Sequence, residues 1–160
     1  MEKKLLFIVN PRAGRNKSRG PLFDAAAIFS EAGYLLRIHR TTAPGDATET
    51  VAREGSQYDL VVASGGDGTL NEAIQGMQHF EQVRLGYIPV GSSNDLARDL
   101  KIGHDIRPLM KKLLDGGTEH RMDLGCVTWN ADGKTQKRYF LVSCGIGYDA
   151  AVCQEALDSP

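Results

Sequence analysis

Short apolar runs alternate with helix-like segments along the first 120 residues, and this alternation restricts the possible folds more than any other feature. KKLLFIV (3–9) is β-like in length and rich in branched residues, and it stops at NPRAG. PLFDAAAIFSEA (21–32) places Leu22, Ala25, Ala26 and Phe29 at helical spacing, and Gly33 follows as a natural helix end. YLLRIHRTT (34–42) reads as a second strand and GDATETVAREG (45–55) as a helix closed by glycine. YDLVVAS (58–64) has the continuous apolar centre of a strand covered on both faces. Helix TLNEAIQGM (69–77), strand VRLGYIPV (83–90) and helices NDLARDL (94–100) and DIRPLMKKLLDG (105–116) complete the pattern. Pro108 falls in the opening turn of the last helix, where a missing N–H is tolerated. Strands and helices in this order predict βαβ units: an α/β fold with a doubly wound, mostly parallel sheet.

Beyond residue 120 the character changes. RMDLGCVTWN and QKRYFLVSCGIG are β-rich and flank ADGK, whose Asp-Gly pair signals a hairpin, and DAAVCQEALDSP is helical. The expectation is a nucleotide-binding α/β lobe over 1–120 and the incomplete start of a second, β-rich lobe over 121–160. The alternative is that the hairpin extends the first sheet as an antiparallel edge.

Net charge is −1, which supplies no broad basic field for nucleic acid. The apolar run after the two N-terminal lysines is too short for a signal-peptide core, and no later run approaches a membrane span. Cys126, Cys144 and Cys153 lack CxxC spacing and are expected to be small buried residues, as in a cytoplasmic protein. His39, His79, His104 and His120 show no ligand spacing. Arg12, Arg15, Lys17 and Arg19 form a basic cluster suited to anionic headgroups or phosphates, or equally to a solvated loop.

Three loops carry the chemistry. NPRAG, SGGDGT and PVGSSND follow three of the predicted strands, and the carboxyl ends of parallel strands are where ligands bind. In SGGDGT the glycines Gly65, Gly66 and Gly68 permit positive φ and bare backbone N–H groups. Thr69 then opens a helix whose N-terminus favours phosphate. Asp67 would repel a bare phosphate, and a shared divalent cation resolves that conflict. A tight turn containing an ordinary aspartate is the other reading. Asn71 and Glu72 add polar groups in the first helical turn. Ser93 or Asn94 is the expected N-cap of the helix after GSSND. The dinucleotide fingerprint, the P-loop and the protein-kinase motif set are absent from the sequence.

NPRAG, GGDGTLNE, PVGSSNDLAR and CGIGYDA together resemble the catalytic region of the diacylglycerol kinase family, in the same order over nearly the whole chain. The resemblance implies an ATP-dependent lipid kinase that phosphorylates the hydroxyl of diacylglycerol or a related lipid at a membrane surface. The expected location is cytoplasmic, with peripheral attachment at the inner membrane face. A sheet edge left exposed by a missing lobe is expected to drive homo-oligomers or aggregation. The resemblance implies ATP contacts at Asn10, Pro11, Arg12, Ala13, Gly14, Thr41, Gly65, Gly66, Asp67, Gly68, Thr69, Leu70, Asn71, Glu72 and Ser92. It further implies Mg²⁺ at Asp67, and Asp123 in RMDLG as a catalytic candidate. Ser92 stands where the family commonly has threonine, keeping a hydroxyl. The family's general base lies in a G-x-D-G-E-like motif beyond Pro160, so this chain is expected to bind nucleotide and turn over slowly. The open alternatives are a non-catalytic nucleotide-binding module or truncated gene product, and a NAD kinase-like enzyme.

Overall fold

The computed structural model describes residues 2–16, 19–77, 83–103, 105–115 and 119–158, with backbone only at 15, 16, 19–21, 157 and 158. Lys17, His79 and His104, and the side chains of Arg15 and Arg19, lie outside the described residues. The chain divides into two compact units, Met1–Met122 and Asp123–Pro160.

In the first unit, β1 (Lys3–Val9), β2 (Tyr34–Arg40), β3 (Leu60–Gly65) and β4 (Arg84–Pro89) form one parallel sheet in the order β2-β1-β3-β4. The helices are α1 (Arg19–Glu31), α2 (Asp46–Glu54), α3 (Asp67–Gly76), α4 (Asp95–Asp99) and α5 (Ile106–Leu114). The chain leaves β1 toward β2 and later enters β3 on the other side of β1. The carboxyl ends of β1 and β3 therefore flank a topological switch point.

Strand alternation sorts β1, β3 and β4 onto two covered faces. Leu5, Phe7, Val9, Leu60, Val62 and Ile88 pack with Ala25 and Phe29 of α1 and Met110 of α5. Phe7 and Phe29 meet edge-on, with ring centroids 5.9 Å apart. Each large side chain fully buried in this way stabilises the fold by roughly 1.5–3 kcal/mol relative to exposure. On the opposite side α2 and α3 interlock. A Cβ on Gly76 would lie 2.7 Å from the Val51 Cβ, and the Thr48 hydroxyl donates to the Glu72 carbonyl at 2.9 Å.

Two helices begin two residues earlier than the sequence expectation. Helix α3 begins at Asp67, not Thr69, because Gly66 ends the extended segment at φ −93° and an acidic residue suits the first helical turn. Helix α1 begins at Arg19, before Pro21, which still falls in the turn where its missing N–H is harmless.

In the second unit, β5 (Gly125–Ala131) and β6 (Lys134–Phe140) pair antiparallel as their own two-stranded sheet, followed by α6 (Tyr148–Asp158). Asp132 and Gly133 both have positive φ, 51° and 71°, as a two-residue hairpin turn demands. The cysteine expectation fails here. Cys126, Cys144 and Cys153 are all exposed. Cys126 lies on β5, whose faces one hairpin leaves largely open, Cys144 lies in the segment after β6, and Cys153 lies on an uncovered part of α6. Trp129 is 45 % exposed for the same reason as Cys126.

Candidate functional site

Asn10, directly after β1, ties three segments together at the switch point. Its backbone N–H donates to the Ser64 carbonyl at 2.9 Å, and its Nδ2 donates to the Thr69 Oγ1 at 2.9 Å. Its Oδ1 accepts from the Arg12 N–H at 2.9 Å. The chain after β2 joins the same rim, where the Thr41 N–H donates to the Val9 carbonyl at 2.9 Å. Between these loops lies a cleft of ≈ 130 Å³ lined by Asn10, Arg12, Thr41, Thr42, Ala43, Pro44, Thr69 and Glu72.

The loops after β3 and β4 are locked to each other, backbone against backbone. The Val90 and Gly91 N–H groups both donate to the Gly65 carbonyl, at 2.9 and 3.2 Å. A Cβ on Gly91 would sit on the Gly66 Cα and 2.7 Å from Asn94 Oδ1. A Cβ on Gly65 would fall inside the Thr69 side chain and displace the hydroxyl that holds Asn10. Positive φ was the expected use of Gly65, Gly66 and Gly68, and none of the three adopts it. Gly65 and Gly91 are needed for close packing, whereas a Cβ on Gly66 would make only ordinary contact with Gly91, at 3.4 Å. Gly68, in the first turn of α3, faces open space: a Cβ at that position would meet nothing within 4 Å.

Asp67 has a structural task that its sequence context does not announce. Its carboxylate crosses to the neighbouring loop and accepts from the Asp95 N–H at 2.9 Å and the Leu96 N–H at 3.4 Å. It thereby caps α4 from outside that helix. The expected local cap is absent. Asn94 occupies the N-cap position in a left-handed conformation (φ 50°) and makes no side-chain cap bond. Its amide is engaged elsewhere: Oδ1 accepts from the Gly91 N–H and the Tyr87 hydroxyl, and Nδ2 donates to the Gly91 carbonyl. Burial, reinforced by the Asp67 and Asp95 carboxylates, pushes the Tyr87 hydroxyl far up, so it stays a donor.

The loop after β2 is held by Asp46, which sequence reasoning missed. One carboxylate oxygen accepts from the Thr42 N–H at 2.7 Å and the Thr42 hydroxyl at 2.9 Å. The other meets His39 Nε2 at 2.8 Å and the Thr50 hydroxyl at 3.3 Å. The Thr42 backbone N–H holds the Asp46 carboxyl down to about 2 against the opposing effect of burial, helped by His39 and the Thr42 hydroxyl. The available signal was an acidic residue one position after a glycine, at the start of a helix and shortly after a threonine-rich strand end.

Of the expected site residues, the structure brings Asn10, Arg12, Thr41, Thr69 and Glu72 to the cleft. Pro11 and Gly14 share the Asn10 loop, with Gly14 at φ 61°, whereas Ala13 packs against the core. Leu70 is buried, so only its backbone faces any ligand, and the Asn71 amide accepts from Gln75 at 3.2 Å. Ser92 is exposed in the turn before α4 and does not line the cleft. Asp123 is exposed at the first residue of the second unit. Among the described residues no group of three or more His, Cys, Asp or Glu side chains could hold a metal alone. The donor set fits Mg²⁺ arriving with phosphate oxygens, which needs only one or two protein carboxylates.

The diacylglycerol kinase catalytic domain family matches residues 4–127 of the chain. A diacylglycerol kinase of Staphylococcus epidermidis is 36% identical over 143 residues, spanning 88% of this chain and 42% of the relative. One from Bacillus subtilis is 37% identical over 128 residues, 78% of this chain and 42% of the relative. A crystal structure of a diacylglycerol kinase from Bacillus anthracis superimposes with a TM-score of 0.61 at 30% identity, covering 84% of this chain and 45% of that one. The chain thus spans less than half the length of these relatives.

Proposed function

The chain belongs to the diacylglycerol kinase catalytic-domain family, and from that premise we propose that it binds Mg²⁺·ATP in the cleft at the β1/β3 switch point, for transfer of a phosphoryl group to a lipid hydroxyl. One observation carries the reading: the loops after β1 and β2 and the N-terminal half of α3, at Thr69 and Glu72, enclose a polar cleft. The unbonded N–H groups and positive dipole end of such a helix favour phosphate. Gly68 supports it further, since neither its φ nor any neighbour requires glycine there, whereas a ligand approaching the backbone would.

In this reading Asn10, Arg12, Thr41, Thr69 and Glu72 bind and orient the nucleotide, with backbone contacts from Pro11, Gly14, Gly66, Gly68 and Asn71. Asp67 would hold Mg²⁺, whose charge offsets that of the phosphates. It keeps lone pairs for that role while its oxygens accept the two N–H groups of α4. Phosphoryl transfer asks the protein chiefly for positioning and charge neutralisation, which is what such loops supply. Asp123 keeps a catalytic candidacy, and Ser92 a contact role, from the family pattern alone. Residues 121–160 are proposed to open a lipid-binding β-rich lobe, supported by the exposed Trp129, Val142, Ile146, Tyr148 and Val152. No described helix is long and apolar enough to cross a membrane, so the lipid would be met at a membrane surface.

Calorimetric titration of Mg·ATP into wild type and Asp67→Ala tests this. Wild type is expected to bind, and the variant to bind about tenfold more weakly or worse. A wild-type protein that takes up no nucleotide overturns the proposal, and equal affinities remove Asp67 from the metal. Transfer of radiolabelled phosphate from ATP to diacylglycerol in mixed micelles tests the acceptor class.

A further inference from the structure

We infer that Asp46, which does not line the cleft, is the positioning residue that sets its nucleotide affinity, by holding the Thr41–Pro44 wall in its binding shape. The inference rests on the reading of the cleft as the Mg·ATP site.

Four residues of the wall, Thr41, Thr42, Ala43 and Pro44, make up half of the cleft lining. At its start the wall is fastened to the sheet, since the Thr41 N–H donates to the Val9 carbonyl. At its end Gly45 turns the chain at φ 86° into α2. Between these points Thr42 sends both its N–H and its hydroxyl to one oxygen of Asp46, at 2.7 and 2.9 Å. The second oxygen is gripped by His39 of β2 and Thr50 of α2, at 2.8 and 3.3 Å. Thr50 is fully buried and also meets His39 at 3.1 Å, so the carboxylate cannot swing away without breaking a packed triad.

A bland account would make Asp46 an ordinary first-turn acid favoured by the helix dipole. The bond directions argue otherwise. Neither oxygen is spent on the N–H groups of the first turn of α2; Gly45 holds the N-cap position and makes no side-chain cap bond. The carboxylate reaches backward, joining the strand, the loop and the second turn of the helix. Charge-assisted bonds of this kind are the stronger class of hydrogen bond. A wall held by them is pre-formed, so binding does not have to order it.

The experiment is a Mg·ATP titration of the full chain with three variants, followed by amide exchange at Thr42. Asp46→Ala is expected to raise the Kd roughly tenfold and to expose the Thr42 amide. Asp46→Asn keeps an acceptor for that amide and is expected to recover most of the affinity. Asp24→Ala breaks the exposed Asp24–Arg107 pair, which joins α1 to α5 away from the cleft, and is expected to leave the Kd unchanged. Should Asp46→Ala fail to fold, Thr50→Val removes one grip on the carboxylate from outside the cleft, and about a threefold rise in Kd is expected. Unchanged affinity in Asp46→Ala, or in Thr50→Val where it stands in, overturns the inference, as does an equal loss in Asp24→Ala. A wild-type protein that does not bind Mg·ATP sinks the reading of the cleft itself, a distinct result.

Discussion

The two sides of the loop rim use small residues for opposite purposes. After β3 and β4, Gly65 and Gly91 let the loops close on each other, and the space their side chains would fill is taken by Thr69 and by the Gly66 backbone. After β1 and β2 the rim has fewer glycines, and its polar side chains Asn10, Thr41 and Thr42 stand around an open cleft. Glycine density therefore marks where loops close on each other. The cleft forms where side chains hold the loops apart. Gly68 is the exception on the closed side, because nothing of the protein occupies its missing Cβ.

The most direct way to break this contrast is to put a side chain into the closed side. Gly91→Ala drives a Cβ into the Gly66 backbone, which cannot yield as a flexible side chain would. A loss of about 3 kcal/mol is expected from overpacking of this kind, measured by urea denaturation. Stability within about 0.5 kcal/mol of wild type would show the lock to be loose and the contrast false.

Asp67 sits where the two sides meet, so its replacement sharpens the comparison. Asp67→Ala removes the cross-loop cap of α4 and is expected to cost about 1 kcal/mol, the usual effect of losing a helix cap. Asp67→Asn keeps an acceptor and is expected to restore most of that stability without restoring Mg·ATP affinity. Recovery of both together would mean that the cap accounts for all that Asp67 does. Gly68→Ala is expected to act with the opposite sign. In open space on a helix, alanine stabilises by roughly 0.5–1 kcal/mol over glycine, while a nucleotide approaching that backbone would bind more weakly. Unchanged affinity in this variant would move the phosphates away from Gly68.

Much of this was legible in the sequence, because it depends on local pattern. Each βαβ element follows from apolar runs and helical spacing, and the Asp132-Gly133 turn follows from the demand for two positive φ angles. The motif loops share one rim because parallel strands put their carboxyl ends together. What escaped were bonds across loops. Asp67 and Asp95 are far apart in sequence, and no local rule links a carboxylate in one loop to the helix N-terminus of another. Asn94 looked like a cap because Asn commonly is one, yet its side chain closes its own turn with Gly91. The exposed cysteines had a different cause, for the strand, the connecting segment and the helix that carry them have too few covering layers. His39, Asp46 and Thr50 were invisible as a group, since their shared geometry arises only when β2 and α2 pack.

The remaining expected effect concerns the open side and appears only in acid. Asp46 is held at about 2 in the folded protein, below the ordinary carboxylate range that it returns to on unfolding. Because the folded pKa is the lower one, the unfolded chain takes up the proton first as pH falls. The stability that Asp46 contributes is therefore complete above pH ~4, declines between about 4 and 2, and is gone below that window. Closed-side contacts through Gly65, Gly66 and Gly91 involve no titrating group and have no reason to weaken there. Urea midpoints measured from pH 6 down to 2 should thus fall more steeply in wild type than in Asp46→Asn, which has no proton to take up. Parallel curves would mean that Asp46 is not under the grip its bonds to Thr42 and His39 indicate, and that the open side is held by packing, as the closed side is.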